Sequence, residues 1–239
     1  AFLAEYTDST IGMCYGTTLT PVLLLLGFKP LQVVPAVLLS QLVAGAFAAL
    51  LHHHFGNVNF SKGRHFKVAL VLASSGIIGA LSAVFIALHS YEPYLSLYIG
   101  ALVIVTGVVI LVTIGKNHNF SWKKIVGFGF VASFNKGIAG GGYGPLAVTG
   151  QLLSGVNGKN AIGITALAES FVCIVGLIGY TVFNGGVDWA LVTYLLIGSV
   201  TSVPFSTMTV KKLEINKLRI LIGSAAIILG TVTILKILF

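Results

Sequence analysis

The chain has 239 residues, of which 56% are hydrophobic and only 8% are charged. About a quarter of the residues of a soluble domain are charged, so this composition excludes a soluble protein and indicates an integral, multi-pass protein of the cell membrane, inner or plasma. The formal charge of +8 would suggest a nucleic-acid partner in a soluble chain. Here it indicates basic loops held on the cytoplasmic side, and we expect no nucleic-acid binding.

Apolar segments follow one another along the whole chain. A helix needs about 20 apolar residues to cross the hydrocarbon core. The eight segments are 1–27, 33–54, 66–88, 94–114, 124–153, 161–183, 189–209 and 218–239. The first and the fifth are interrupted by glycine-rich stretches, and the short links carry nearly all of the charge. We therefore expect an all-α integral membrane protein with one compact membrane domain.

The strongest interruption covers residues 135–145, with five glycines and one proline between two apolar runs. Relative to Ala, each Gly costs a helix about 1 kcal/mol and Pro about 3 kcal/mol, so the helix must break here. Broken backbone is tolerated at membrane depth only where it is buried in protein or lines a water-filled cavity. The break is therefore a candidate site, and Lys136 beside it is a candidate anion contact.

An internal repeat relates the two interrupted segments when the chain is shifted by 128 residues. The shift aligns Tyr15-Gly16 with Tyr143-Gly144, Gly12 with Gly140 and Gln41 with Glu169, and Gly100 and Gly107 keep the spacing of Gly223 and Gly230. We expect two four-segment repeats, 1–120 and 121–239, each opening with a broken helix. Corresponding broken helices are the best sequence pointer to a transporter binding site. The alternative is chance alignment of glycines in a glycine-rich chain.

The basic residues indicate how the fifth segment lies in the membrane. If all eight segments span, six basic residues fall on each side, leaving out Lys236, which contradicts the positive-inside rule. If segment 124–153 enters and leaves on one face, eleven basic residues share a side and only Lys29 and Lys236 lie opposite. The eleven are Lys62, Arg64, Lys67, Lys116, Lys123, Lys124, Lys159, Lys211, Lys212, Lys217 and Arg219. The count favours a re-entrant hairpin, and repeat symmetry extends it to segment 1–27, so the two repeats must be inverted.

The helix that follows each break is expected to begin near Thr17 or Pro145. Its first turn offers free N–H groups and a positive dipole end, which favour an anion. Glycines let a ligand approach the backbone closely. The candidate substrate-binding residues are Gly12, Cys14, Tyr15, Gly16, Thr17, Thr18, Gln41, Asn135, Lys136, Gly140, Gly141, Gly142, Tyr143 and Gly144. The alternative is that the glycines only permit tight helix packing.

Ionisable residues at membrane depth are expensive and usually functional. Lys136 would counter an anionic substrate, and its alternative is a lysine that extends to the interface. Glu169 lies eight residues into segment 161–183 and is the only carboxylate that we place at this depth. Desolvation favours a neutral carboxyl group, which suits Glu169 to proton coupling. The alternative is a neutral or ion-paired packing residue.

Asp8 aligns with Lys136 in the internal repeat. The two residues would then pair at the centre of the protein. The alternative is that Asp8 caps a helix that starts at Ser9 or Thr10, since Asp is a preferred residue at the start of a helix.

No pattern of an enzyme or a metal site stands out. His52-His53-His54 resembles a metal cluster, but adjacent positions of a helix point to different faces. Cys14 and Cys173 both lie in apolar segments and give neither a disulfide framework nor metal-ligand spacing. We therefore expect no metal, no cofactor and no enzymatic activity.

The stretch 137–145, with its fainter copy at 12–18, resembles the TauE/SafE sulfite exporter family, also called the toluene sulfonate uptake permease family. The resemblance covers essentially the whole chain. It includes the glycine-rich break of each half, the stretch 198–206 before a basic loop, and the glycine-spaced last helix around 223–230. The first break departs from the pattern, because residues 12–16 replace a richer glycine run.

The resemblance implies a transporter of small sulfur-containing anions such as sulfite, sulfoacetate or other organosulfonates, with export as the usual direction and the proton gradient as the driving force. We expect alternating access around an anion held between the two breaks, with Cys14 in contact range of its sulfur. The expected partners are the anion, protons and the lipid bilayer, and a homodimer is one possibility for the oligomeric state. The alternatives are a passive anion channel or uniporter, a permease for thiosulfate or another oxyanion, and a membrane enzyme or sulfur relay that uses Cys14.

Overall fold

The computed structural model describes residues 1–61, 63–112, 120–210 and 215–238. Within these ranges the chain forms ten helices and no strand. The helices are α1 Phe2–Ile11, α2 Tyr15–Leu25, α3 Pro30–His54, α4 Gly63–His89, α5 Glu92–Val112, α6 Trp122–Ala139, α7 Tyr143–Leu152, α8 Gly158–Asn184, α9 Trp189–Thr209 and α10 Ile215–Leu238. The predicted all-α class is confirmed.

The predicted segments agree with the helices to within three residues at their outer ends. Polar residues cap α8, which starts three residues before its apolar run, and α9, which starts at the predicted residue. Asn157 accepts a hydrogen bond from the main-chain N–H of Lys159 at the start of α8, and Asp188 accepts one from Leu191 at the start of α9. Such caps satisfy N–H groups that have no partner within the helix. The predicted ends at 113–114 and 239 lie outside the described residues.

Five helices, α3, α4, α5, α8 and α9, are long and apolar enough by length and composition to cross a membrane. α2 and the Gly223–Leu238 part of α10 are shorter apolar helices. Large apolar side chains point outward from the bundle, as with Ile78, Phe183 and Tyr194, which are 71%, 75% and 76% exposed. An apolar outer surface of this extent fits lipid. The chain is a multi-pass membrane protein.

α3 and α8 run antiparallel through the interior. Gly45 of α3 lies against Ser170 of α8, and Gly163 of α8 lies against His52 of α3, so the end of one helix meets the beginning of the other. The polar residues in the middle of this pair, described below, lie next to the helix breaks. On either side, α4 packs along α6 and α9 packs along α1.

The second broken segment returns to the face where it begins. The Lys124 ammonium at the start of α6 donates a hydrogen bond to the Leu153 carbonyl oxygen just after α7, at 3.1 Å. α7 has 10 residues, or roughly 15 Å of helix, about half of the thickness of the hydrocarbon core. This is the geometry that the predicted re-entrant hairpin requires. Of the basic residues counted on that face, Lys62, Lys116, Lys211 and Lys212 lie outside the described residues.

α5 and α10 cross at four glycines. A Cβ on Gly107 would lie 2.7 Å from the Gly223 carbonyl oxygen, and a Cβ on Gly230 would lie 2.6 Å from the Gly100 carbonyl oxygen. Both distances are shorter than a real Cβ contact, so the two backbones touch at these points. Small residues allow such close approach between helices in membranes. The spacing shared by the two glycine pairs in the sequence therefore serves this antiparallel crossing.

Gly107→Ala should destabilise the folded protein, because the added methyl group would overlap the Gly223 carbonyl oxygen and lie 2.9 Å from the Ile227 side chain. We expect a loss of about 1–3 kcal/mol in the free energy of unfolding, the usual cost of overpacking. Gly127→Ala in α6 is the matched control, since nothing lies within 4 Å of its Cβ position. It should be neutral or stabilise by about 1 kcal/mol. Thermal unfolding in detergent would measure both, and equal midpoints would contradict the expectation.

Candidate functional site

Both predicted breaks are present, the first between α1 and α2 and the second between α6 and α7. α1 and α6 each end on a glycine in the left-handed conformation, Gly12 with φ 76° and Gly140 with φ 67°. Residues with a Cβ rarely adopt this conformation, which explains the glycines at both positions. The second arms begin at Tyr15 and Tyr143, two residues before the predicted starts.

The two breaks lie directly against each other. A Cβ on Gly16 would overlap the Gly140 carbonyl oxygen and lie 2.7 Å from the Gly141 Cα. A Cβ on Gly144 would overlap the Gly12 carbonyl oxygen. Main chain thus contacts main chain with no side chain between. These glycines let one hairpin approach the other, and their part in substrate binding stays a prediction.

Two threonines of the first break form hydrogen bonds with different partners. One contacts the second break and the other contacts its own helix. The Thr17 hydroxyl oxygen accepts a hydrogen bond from the main-chain N–H of Gly142 at 3.2 Å, which links the two hairpins. The Thr18 hydroxyl donates to the Cys14 carbonyl oxygen at 3.0 Å and lies 3.6 Å from the Cys14 sulfur. Thr17 therefore belongs to the contact between hairpins, whereas Thr18 stabilises the start of its own helix.

Asp8 occupies the amino-terminal end of α2. Its Oδ1 accepts hydrogen bonds from the main-chain N–H groups of Cys14 at 2.6 Å and Tyr15 at 3.0 Å, and its Oδ2 accepts one from Gln41 Nε2 at 3.0 Å. A carboxylate at a helix N-terminus is stabilised by free N–H groups and by the helix dipole. Both expectations for Asp8 are wrong, because it does not pair with Lys136 and no helix starts at Ser9 or Thr10, Asp8 itself lying within α1. It is an internal anion that fills the first break.

Lys136 pairs instead with Glu169. Their Nζ and Oε1 atoms lie 2.7 Å apart, with the lysine side chain 0% and the glutamate side chain 5% exposed. Burial excludes the alternative of a lysine that extends to the interface, and the contact is the ion-paired alternative for Glu169. Glu169 Oε2 has no hydrogen-bond partner in the described chain, and the Lys136 ammonium has three N–H donors. Both groups therefore keep hydrogen-bonding capacity that the ion pair does not use.

The two polar pairs correspond in the sequence. Asp8 and Gln41 each lie 128 positions before Lys136 and Glu169. In both cases a residue of the helix that precedes a break contacts a residue of the long helix after the hairpin. The chemistry differs, since the first pair joins a carboxylate to an amide and the second joins an ammonium group to a carboxylate.

The amino-terminal end of α7 has no internal anion of the kind that Asp8 provides. Gly142 donates to Thr17, and Pro145 has no N–H group. The main-chain N–H groups of Tyr143 and Gly144 have no acceptor among the described residues. The Tyr143 hydroxyl is buried and without a hydrogen-bond partner over the same part of the chain. The second break thus retains buried donors that an anion could use.

Other candidates are held by partners that the sequence analysis missed. The Tyr15 hydroxyl lies 2.8 Å from the Ser40 hydroxyl. Asn135 Oδ1 accepts a hydrogen bond from the Tyr98 hydroxyl of α5 at 2.8 Å. Tyrosines at 98 and 180 gave no signal in the apolar runs, yet Tyr180 likewise donates to a carbonyl oxygen of α6 at 2.9 Å. These hydrogen bonds fix the helices around the breaks.

Glu5 is a third buried carboxyl group, beside Asp8 and Glu169, and the sequence analysis missed it. It is 0% exposed, and its Oε1 accepts a hydrogen bond from the Ser9 hydroxyl at 2.6 Å. Three carboxyl groups, Glu5, Asp8 and Glu169, are therefore buried in the described chain. The signal was present in the sequence, because a spacing of three residues places Glu5 and Asp8 on one face of a helix.

The three consecutive histidines do not assemble a metal site. No group of three His, Cys, Asp or Glu side chains in the described ranges could hold a metal ion. His52 is buried and lies 3.1 Å from the Asn57 amide, which donates to the Thr207 carbonyl oxygen at 2.9 Å. His52 therefore anchors the loop after α3. Cys14 and Cys173 are buried free thiols.

Residues 1–233 match the family model described as sulfite exporter TauE/SafE. The chain belongs to this family. A curated relative, the probable membrane transporter protein YtnM of Bacillus subtilis strain 168, is 27% identical over 250 residues, which cover 98% of this chain and 80% of the relative. No solved structure matches the chain. This TauE/SafE protein is a membrane transporter and not an enzyme.

The candidate substrate-binding residues of the TauE/SafE chain come from both halves and meet in its interior. Thirteen of the fourteen are buried, and Thr18 is partly buried. The structure brings the two glycine breaks together, whereas Gln41 and Lys136 contact separate carboxylates. This protein therefore has an enclosed polar centre around its two broken helices.

Gly16→Ala should disrupt the contact between the breaks, since its methyl group would overlap the Gly140 carbonyl oxygen. We expect a loss of about 3 kcal/mol or more in the free energy of unfolding, at the upper end of overpacking costs. Gly158→Ala, also in the first turn of a helix, is the control because its Cβ position is 3.8 Å from its neighbour. Thermal unfolding and the yield of monodisperse protein would measure the difference. A wild-type midpoint for Gly16→Ala would show that the breaks do not touch.

Asp8→Ala should cost more stability than the loss of an ordinary helix cap. It would leave two buried N–H groups and the Gln41 amide without an acceptor, each at about 1–3 kcal/mol. Asp188→Ala removes the cap of α9 and should cost only about 0.5–2 kcal/mol. Thermal unfolding of the two variants side by side tests this order. If Asp8→Ala were the milder change, the proposed internal anion would not stabilise the break.

Proposed function

We propose that this TauE/SafE transporter carries small sulfur-containing anions, such as sulfite, sulfoacetate or other organosulfonates, and binds a proton at Glu169 during its cycle. The observation that carries the proposal is the buried Lys136–Glu169 ion pair beside two helix breaks. The family description supports the sulfite class of substrate, and the name of the curated relative supports membrane transport alone.

The proposed anion site is the amino-terminal end of α7. At the corresponding end of α2 the Asp8 carboxylate already occupies the main-chain N–H groups of Cys14 and Tyr15. The N–H groups of Tyr143 and Gly144 and the Tyr143 hydroxyl are without acceptors in the described chain. A sulfite or sulfonate group would place its oxygens in the second break as Asp8 places its carboxylate in the first. Lys136, in the last turn of α6, supplies the positive charge.

Charge balance couples the anion to a proton. Lys136 and Glu169 neutralise each other while the substrate is absent. An anion that pairs with the Lys136 ammonium takes the counter-charge away from the buried Glu169 carboxylate, and an unpaired buried charge is strongly unfavourable. A proton on Glu169 removes that charge. The anion and the proton therefore bind together, and the affinity for the anion rises as the pH falls.

Because the anion and the proton bind together, the direction of net transport depends on the gradients of both. One monovalent anion moving with one proton carries no net charge, so the membrane potential does not drive it. The net flux follows the sum of the anion and proton gradients. The family description gives export as the direction. Where the outside is more acidic, export needs an anion gradient that exceeds the opposing proton gradient.

Alternating access in this proposal depends on two inverted repeats, 1–120 and 121–239. The antiparallel packing of α3 on α8 and of α5 on α10 supports the inversion, because each of these helices contacts its own counterpart in the repeat alignment. The packing of α4 on α6 and of α9 on α1 follows the same correspondence. The two repeats then move against each other around the breaks.

The contact between the breaks favours a carrier over a passive channel. A channel needs a continuous path for the ion, whereas the main chain of Gly16 lies against that of Gly141. In a carrier this contact is the closed stage, and the hairpins separate toward one side at a time. The hydrogen bond between Thr17 and Gly142 is then broken and reformed in each cycle.

Flux into proteoliposomes of the purified protein tests the proposed function. Sulfite and sulfoacetate uptake is measured with and without an imposed pH gradient, and thiosulfate serves as a competing oxyanion. Uptake should increase when the substrate side is acidic. Uptake that ignores the pH gradient would contradict proton coupling, and electrical currents far above carrier turnover would favour a channel.

In Glu169→Gln the rate of transport should no longer depend on the pH gradient, because an amide cannot bind the coupled proton. Exchange of labelled substrate across the membrane should persist. Lys29→Gln with Glu92→Gln removes an exposed ion pair of 3.5 Å and is the matched control, for which we expect wild-type coupling. An unchanged dependence on pH in Glu169→Gln would show that another group carries the proton.

The double variant Lys136→Gln/Glu169→Gln guards against a variant that simply fails to fold. Removing both members of a buried pair is tolerated far better than removing one. This variant should fold and lose saturable anion binding, because the ammonium group is gone. Wild-type binding by the folded double variant would place the anion elsewhere.

A further inference from the structure

Glu5 has no part in the mechanism proposed above, yet it is a fully buried carboxyl group in the helix before the first break. It lies on α1 one turn before Asp8 and is 0% exposed. Its Oε1 accepts a hydrogen bond from Ser9, but its Oε2 has no hydrogen-bond partner in the described chain. An ionised carboxylate with an unsatisfied oxygen is among the costliest groups to bury in a membrane protein. Glu5 must therefore be neutralised.

The charged groups around Glu5 do not neutralise it. Within electrostatic reach along the described chain are two carboxyl groups, Asp8 and Glu169, and one ammonium group, Lys136. Lys136 already pairs with Glu169 at 2.7 Å. All three hydrogen-bond partners of Asp8 are donors, as an ionised carboxylate requires. If Glu5 were also ionised, three carboxylates would face one ammonium group.

The helices packed against α1 provide no further counter-charge in their described parts. α1 packs against α2, α3, α8, α9 and α10. Their titratable groups include Tyr15, His52 beside Asn57, Cys173, the outward-facing Tyr194, and Lys236, which donates to the Leu25 carbonyl oxygen at 2.7 Å. The ion pairs of the described residues are Lys29 with Glu92 and Lys136 with Glu169. Glu5 therefore has no ionic partner within these ranges.

We infer that Glu5 holds a proton in the closed stage and is a second proton-binding site of the transporter, in the first half, alongside Glu169 in the second. A protonated carboxyl group is neutral and has one O–H donor besides its acceptor lone pairs. Ser9 donates to Oε1, so the acid proton belongs on Oε2, the oxygen without a partner.

Opening of the hairpins would let water reach α1 and release the proton to the open side. This step rests on the proposed function, because it requires the breaks to separate as the carrier cycles. The carboxylate then takes up a proton again before the breaks close, since closure buries Glu5 without a counter-charge. Glu5 therefore holds a proton in every closed stage, with or without the anion, so its proton crosses in both directions. The net ratio stays at one proton, carried by Glu169, for each anion.

Infrared spectroscopy of the resting protein tests the protonated state without any substrate. A protonated carboxyl group has a C=O stretch that is absent from a carboxylate and that shifts when its proton is exchanged for deuterium. The wild type at neutral pH should show this band, and Glu5→Gln should lose it. Glu92→Gln, at the exposed carboxylate paired with Lys29, is the control and should keep it. A wild type without the band, or a band that survives in Glu5→Gln, overturns the inference.

Folding of Glu5→Gln is itself informative, because glutamine reproduces the shape and the zero charge of the protonated acid. We expect wild-type thermal stability for this variant. Failure to fold would mean that the ionised form is required, which contradicts the inference. The infrared and stability results hold whether or not sulfite is the substrate, so they are independent of the proposed function.

The ratio of protons to anions tests the transport step. In proteoliposomes the wild type and Glu5→Gln should both move one proton for each anion, because the proton on Glu5 crosses in both directions. Glu92→Gln should keep the wild-type ratio. A changed ratio in Glu5→Gln would show that Glu5 loses its proton in one of the closed stages, which contradicts the inference. If the wild type moves no sulfur-containing anion at all, the proposed function fails while the infrared result still decides the state of Glu5.

Discussion

Breaking a helix inside a membrane leaves main-chain donors that lipid cannot satisfy, and the arrangement of this protein depends on how each break meets that constraint. In the first break the Asp8 carboxylate accepts hydrogen bonds from main-chain N–H groups at the start of α2. The second has no such internal anion, and Thr17 satisfies only the Gly142 N–H group. The hairpins are thus alike in backbone and unlike in chemistry. One carries a fixed anion, and the other has free donors that our proposal assigns to the substrate anion.

The reversal of charge between corresponding positions reinforces this difference. Asp8 stands where the second half has Lys136, and Gln41 stands where it has Glu169. In the first half the neutral amide of Gln41 donates to the carboxylate of Asp8, which is a fixed part of the chain. In the second half an ion pair is buried with hydrogen-bonding capacity left over, so each charge can accept a replacement for the other. In the proposed cycle a substrate anion and a proton are these replacements.

The apolar runs and the glycine breaks were sufficient to predict the helices, because hydropathy and helix propensity are local properties. The starts of α2 and α7 were missed by two residues, since they depend on how the chain turns at Gly12 and Gly142 rather than on the apolar pattern. The repeat alignment matched Asp8 with Lys136 but could not show that each residue contacts a different helix. That pairing depends on the packing of α1 against α3 and of α6 against α8, which no local pattern encodes. Glu5 was missed because it lies in a polar stretch at the start of the chain.

The crossing of α5 and α10 restricts how the two halves can move. Their backbones touch at two points seven residues apart, or roughly 10 Å along each helix. Sliding by even one residue would drive a bulky neighbour such as Ile104 or Leu111 into a place that only glycine fits. The crossing of α5 and α10 therefore stays fixed along the helix axes. A rearrangement at the breaks must tilt the two halves about this crossing rather than slide them along it.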